Sequence, residues 1–206
     1  MNDARYQDPE VLRRRVEDFR VSIDTSLTTT PIDILYIAEI ELGLHVVSFP
    51  DLNRIYKKDA ALFADFSGIY IDQEAYLGWE NADHWIEKRL RFSVTHELGH
   101  FILHDDLIED SEYGSIDDFK IWIMSSENQK NADWQANEFA GRLLVPLQTL
   151  EQHYDYYRAT LAKTHPNWRQ ESAIRTLMTK KIAPRFGVTH QVISIRLDRE
   201  GIWPAE

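Results

Sequence analysis

The chain has 206 residues, a net charge of −11 and 43% apolar residues, enough to bury one good core and too apolar for a disordered chain. It has no cysteine, which excludes a disulfide framework and any thiolate metal site and suits the cytoplasm. The acidic balance argues against direct nucleic-acid binding, since phosphate contacts dominate that affinity, and no run of about 18 apolar residues exists to span a membrane.

In chain order, MNDARYQDPEVLRRRVEDF lacks the apolar stretch of a secretory signal. Residues 9–21 predict a helix with Val11, Val16, Phe19 and Val21 turned inward. In TTTPIDILYIAEIELGLHV, Thr30 is the expected N-cap of a second helix, Pro31 its first residue and Gly43 its end. His45 to Phe49 reads as a strand. Residues 60–66 and 68–72 flank Ser67 and Gly68 and read as two strands on a tight turn, which predicts a small antiparallel sheet. A helical pattern runs from Lys88 to His104. Residues 105–118 carry acids and no base, the mark of an exposed loop, and residues 119–124 alternate like a strand. Residues 131–145 read as a helix stopped by Pro146, followed by helices over roughly 147–162, 169–186 and 189–198. Residues 1–149 hold the acidic excess and 150–206 a small basic one, so we expect a domain over 1–149 and a helical C-terminal subdomain over 150–206.

The chemistry sits in Phe92 to His104, FSVTHELGHFILH. On a wheel of about 100° per residue, His96 and His100 fall one turn apart and can converge on one point, with Glu97 beside them. Leu90, Val94, Leu98 and Phe101 cover much of the rest, so the helix should be buried. Buried imidazoles and a buried carboxylate are costly unless paired. Zinc resolves this, because neutral histidine ligates it well, and H-E-x-x-H places a glutamate where it can act on the attacking water. The competing reading is a metal-free helix whose histidines bond to backbone and carboxylates. His104 lies about 12 Å along the helix from His96, too far for a third ligand, and is expected to cap the helix or bond a carboxylate. Gly99 implies close approach of a neighbouring element, with a strand edge the one expected.

The missing ligand is sought in NADWQANEFAGRLLVP. Asp133 shares a face with the small and apolar Ala136, Ala140 and Leu144, whereas Glu138 falls on the far side. Asp133 is therefore expected as ligand and Glu138 is expected to point outward. Asn137, one turn beyond Asp133, either holds the second nitrogen of a ligand histidine or Asp133 itself, or makes a capping or backbone hydrogen bond.

RFSVTHELGHFILH followed by DWQANEFAGRLLVP resembles the ImmA/IrrE-type metallopeptidases, whose pattern reads approximately RFTLAHELGHxxLH and then ExxANxFAxxLLMP. The likeness extends from Pro31-Ile32-Asp33 to FGVTHQVISIRL near the end. It implies an α+β, zincin-like fold: a small antiparallel sheet packed on the HExxH helix and a second ligand-bearing helix, with a helix-turn-helix-like C-terminal part. It implies His96, His100 and Asp133 as ligands of one Zn2+ per chain, and Glu97 as general base. Asp133 departs from the usual glutamate by one methylene, and Val145 replaces methionine. The family implies a protein substrate, specifically a helix-turn-helix repressor of a mobile element or stress response.

Tyr70, His190 and Arg196 are candidates for stabilising the oxyanion, and the strand around Ile69–Ile71 for pairing with an extended substrate. The alternative to an endopeptidase is an antitoxin-like binding protein that keeps a structural zinc and has no need of Glu97.

Overall fold

A computed structural model describes residues 7–23, 30–63, 65–78, 84–104, 130–164 and 172–203. Helix α1 (Pro9–Ser22) starts on the Asp8 carboxylate, which accepts from the Glu10 amide at 2.8 Å, with proline as first residue. Its inner face is Leu12, Val16 and Phe19; the expected Val11 and Val21 are exposed, because the stripe steps by four and three residues from Leu12. Arg15 donates to the Ile102 carbonyl and Arg20 to the Leu143 carbonyl, so α1 straps the ends of two later helices together.

The second helix begins later than expected. Asp33, not Thr30, caps α2 (Ile34–Tyr36), its carboxylate accepting from the Tyr36 amide, and the chain widens to a π turn over Ile37–Glu41 before Gly43. Then follow β1 (His45–Phe49), α3 (Leu52–Tyr56), β2 (Ala60–Leu62), β3 (Gly68–Asp72) and α4 (Gln73–Leu77). The strand expected over 60–66 stops at Leu62, where Phe66 donates to the Phe63 carbonyl and turns the chain.

The sheet is mixed rather than antiparallel, in the order β1-β3-β2. β3 runs antiparallel to β2 and parallel to β1, with His45 opposite Gly68. The hairpin was legible from its turn. The parallel pair was not, because the connection through α3 and β2 carries no pairing signal of its own. β3 is thus the middle strand, paired on both sides, and cannot accept a substrate strand as expected; among the described residues β2 is an edge.

β2 packs on α5 (His84–Leu103), which in turn packs along α6 (Lys130–Leu144). Leu90, Val94 and Leu98 of α5 and Phe139 and Leu143 of α6 are fully buried in a core shared with α1, α2 and the sheet. Each such leucine contributes about 1.5–3 kcal/mol by leaving water. A second core gathers Leu144 and Val145 with α7 (Leu147–Thr164), α8 (Ser172–Ile182) and α9 (His190–Arg199) around Phe186, Ile193 and Leu197. Pro184 breaks the expected helix over 169–186: α8 gives way to a 3-10 turn, Ala183–Phe186, and Gly187 at φ +61° leads into α9. Buried Arg91 of α5 ties the cores, donating to the carbonyls of Ile32 and Gly187. The expected loop over 105–118 and strand over 119–124 lie outside the described residues. No helix among the described residues is long and apolar enough to cross a membrane.

Candidate metal centre

α5 and α6 face each other at the histidines. Gly99 permits this: a Cβ there would lie 2.9 Å from the Ala136 Cα and 3.1 Å from its carbonyl oxygen. The close neighbour is therefore a helix, not the strand edge expected. Small residues on both helices let the backbones approach until side chains one turn either way meet.

Three ligand-type atoms converge there. His96 Nε2 and His100 Nε2 are 3.1 Å apart, and Asp133 Oδ1 lies 3.3 Å from the second and 3.9 Å from the first. Four ligands about 2.0–2.1 Å from a tetrahedral zinc lie about 3.3–3.4 Å from one another. The observed edges bracket that value. Among the described residues this is the one cluster of histidines and acids with such geometry.

The chemistry of the donors makes the same point. His96 Nδ1 lies 3.0 Å from Asn137 Oδ1, an acceptor, so Nδ1 carries the proton and Nε2 presents a lone pair. Burial disfavours the imidazolium and holds the His96 pKa below its ordinary value, although Glu97 and Asp133 pull the other way. Burial pushes the Asp133 pKa up, but a hydrogen bond with His100, the charges that His100 and His96 carry when protonated, and Lys58 hold it below its ordinary value. Lone pairs and a carboxylate aimed at one point repel each other unless a cation lies between them. The donor set therefore fits a divalent cation.

Glu97 is buried, its charge acts on His96, and its Oε2 accepts from the Leu62 amide at 2.9 Å. That N–H is on the side of β2 away from β3. The expected residues thus separate into His96, His100 and Asp133 at the centre, Glu97 beside it against β2, and Asn137 behind His96. Asn137 Oδ1 stands 3.0 Å from His96 Nδ1, the contact that one of its expected roles requires.

Glu138 is placed differently from expectation. It is buried rather than outward, yet it faces away from the histidines, pairing with Arg142 at 3.5 Å and Arg199 at 3.1 Å. α9 covers that face of α6, which the wheel of a lone helix cannot reveal. Arg196, an oxyanion candidate, is in the same cluster, 2.7 Å from Glu200. Tyr70 packs among Phe49 and Phe63, and His190 lines a separate recess with Trp85 and Lys88.

Sequence reasoning missed three partners. The Leu62 amide carries no side-chain signature, and Lys58 is seen only through its charge on Asp133. Gln135 is the third: His104 Nδ1 lies 3.1 Å from His100 Nδ1 and its Nε2 3.2 Å from Gln135 Oε1. A cavity of about 380 Å3 adjoins Asn137, walled by Phe92, Trp134, Val192 and Ile195.

The family model of the IrrE N-terminal-like domain, a peptidase family, matches residues 83–198, from the start of α5 to the end of α9. No curated protein matches the chain.

Proposed function

Because the chain belongs to the IrrE N-terminal-like family of peptidases, we propose that it is a zinc-dependent endopeptidase that cuts one specific protein partner, a helix-turn-helix repressor of a mobile element or stress response. The observation that carries this reading is the convergence of His96 Nε2, His100 Nε2 and Asp133 Oδ1 with Glu97 alongside. We read the scaffold as zincin-like, with a peptidase domain over 1–149, a helix-turn-helix-like subdomain over 150–206, and a cytoplasmic site of action.

His96, His100 and Asp133 would hold the cation. When bound, it supplies Lewis acidity toward the scissile carbonyl and the attacking water. The Leu62 amide fixes one oxygen of Glu97, which orients the other to take a proton from that water and hand it to the leaving amine as the C–N bond breaks. Asn137 keeps the His96 proton on Nδ1. The apolar cavity beside Asn137 suits a peptide side chain better than a small polar substrate.

The test is to incubate the zinc-loaded protein with helix-turn-helix proteins encoded beside it and read cleavage by mass spectrometry. Glu97→Gln should keep one zinc per chain and lose turnover by about 10²–10⁴-fold. A variant that binds zinc and performs the chain's regulatory role without cleavage would instead identify a zinc-retaining binding protein, and a wild-type chain that takes up no zinc would overturn the reading.

A further inference from the structure

His96 and His100 look equivalent in the motif, but their outer nitrogens meet different partners. His96 leans on Asn137 Oδ1 directly. His100 leans on a second imidazole, and that imidazole leans on an amide: His100 Nδ1 to His104 Nδ1 at 3.1 Å, then His104 Nε2 to Gln135 Oε1 at 3.2 Å. His104 is 3% exposed and Gln135 0%, so water cannot easily substitute for either contact.

The far end of this chain dictates the near end. An amide oxygen only accepts, so His104 must carry its proton on Nε2. A neutral imidazole protonated there has its lone pair on Nδ1, which accepts the Nδ1 proton of His100. The lone pair of His100 is then on Nε2, the atom that converges with His96 Nε2 and Asp133 Oδ1. The opposing arrangement has His100 donate from Nε2 to Asp133, 3.3 Å away. It moves the His104 proton to Nδ1 and sets the His104 Nε2 lone pair against Gln135 Oε1, so the buried amide would have to turn over as well. Gln135 and Asp133 therefore pull the His100 proton in opposite directions, and burial favours Gln135 because Asp133 is half-exposed and can turn to water.

We propose that His104 and Gln135 are positioning residues that hold the His100 proton on Nδ1 and so keep Nε2 open for a divalent cation. This rests on the metal-centre reading above. It gives α6 three tasks within five residues: one ligand from Asp133 and the proton position of both histidines, through Gln135 and Asn137.

The experiment has two arms. The first records long-range 1H–15N spectra of metal-free wild-type protein, well above the ordinary histidine pKa of about 6.5. His100 should be protonated on Nδ1 and His104 on Nε2. The second measures zinc affinity by competition with a chromophoric chelator. His104→Phe keeps a ring but removes the acceptor and should bind zinc about 10–100-fold more weakly. Gln135→Met should weaken binding in the same direction. His104→Gln restores an acceptor oxygen and should regain most of the loss. A His100 ring protonated on Nε2 in the wild type overturns the proposal, as does a folded His104→Phe that binds zinc like the wild type. Should His104→Phe fail to fold, Gln135→Met and the wild-type spectrum still decide. A wild type that shows the expected protons yet binds no zinc would sink the metal-centre reading and leave the relay standing.

Discussion

Two polar clusters sit on α6 and are built on opposite principles. At one end, Asp133, Gln135 and Asn137 face the histidines of α5, and the groups that converge there are lone pairs and a carboxylate. At the other, Glu138 and Arg142 meet Arg196, Arg199 and Glu200 of the C-terminal helix and its cap, and three guanidinium groups enclose two carboxylates. The second cluster supplies its own cations, three of them against two carboxylates, with Arg199 half-exposed to water. The first lacks one. The two differ in setting and in charge: the second is largely buried and brings cations with it, whereas the first is part-exposed at Asp133 and Asn137 and gathers donors with no cation among them.

The sharpest way to break this contrast is Glu200→Gln. Glu200 lies 2.8 Å from Arg142 and 2.7 Å from Arg196, both almost fully buried, and its neutralisation leaves these guanidinium groups facing each other. Loss of one partner from a buried ion pair costs about 3–5 kcal/mol. Urea unfolding of the metal-free protein should show that loss, whereas zinc affinity should stay within about twofold, as for independent sites. A parallel loss of zinc affinity would make the two clusters one network.

Asp133→Ala is the converse. Half-exposed Asp133 belongs to no buried pair, so the metal-free protein should lose less than about 0.5 kcal/mol. Zinc affinity should fall by more than the roughly 10–100-fold that an outer partner commands. In melting experiments, zinc at a hundred times its Kd should stabilise the wild type by about 2.7 kcal/mol. The variant should show almost none of that at the same zinc concentration. Stabilisation equal to the wild type's would place the ion elsewhere.

The site was largely legible in the sequence because its parts are spaced by helix geometry. His96, Glu97 and His100 follow from one turn of α5, and Asp133 from its place beside Ala136 and Ala140. What stayed hidden depends on elements packing from elsewhere. Glu138 looked solvent-facing because its cover, α9, lies more than fifty residues on. The hydrogen bond that holds Glu97 comes from a backbone amide, and β1 gave no sign that it would pair parallel to β3. His104 stands one turn from His100, as the wheel shows, but its contact with Gln135 comes from α6 and no one-helix wheel reveals it.

The smallest effects give the finest comparison, because each cluster has its own glycine. A methyl added at Gly99 meets the Ala136 Cα at 2.9 Å and the Phe139 Cβ at 3.2 Å. Backbone cannot step aside, so α5 and α6 must part. The strain of such overpacking is about 1–3 kcal/mol, partly offset by the roughly 1 kcal/mol that alanine gains over glycine in a helix. Parting the helices also draws His96 and His100 away from Asp133, so Gly99→Ala should lose zinc affinity although Gly99 touches no ligand. A methyl at Gly141 meets only the Arg196 Cδ, at 3.2 Å, part of a long side chain that can shift by a few tenths of an ångström. Gly141→Ala should therefore leave stability within about 0.5 kcal/mol of the wild type, the helix gain cancelling the contact, and zinc affinity unchanged. Equal losses of zinc affinity in the two variants would mean that the separation of α5 and α6 does not set the metal geometry, and the small residues at their crossing would then need another reason.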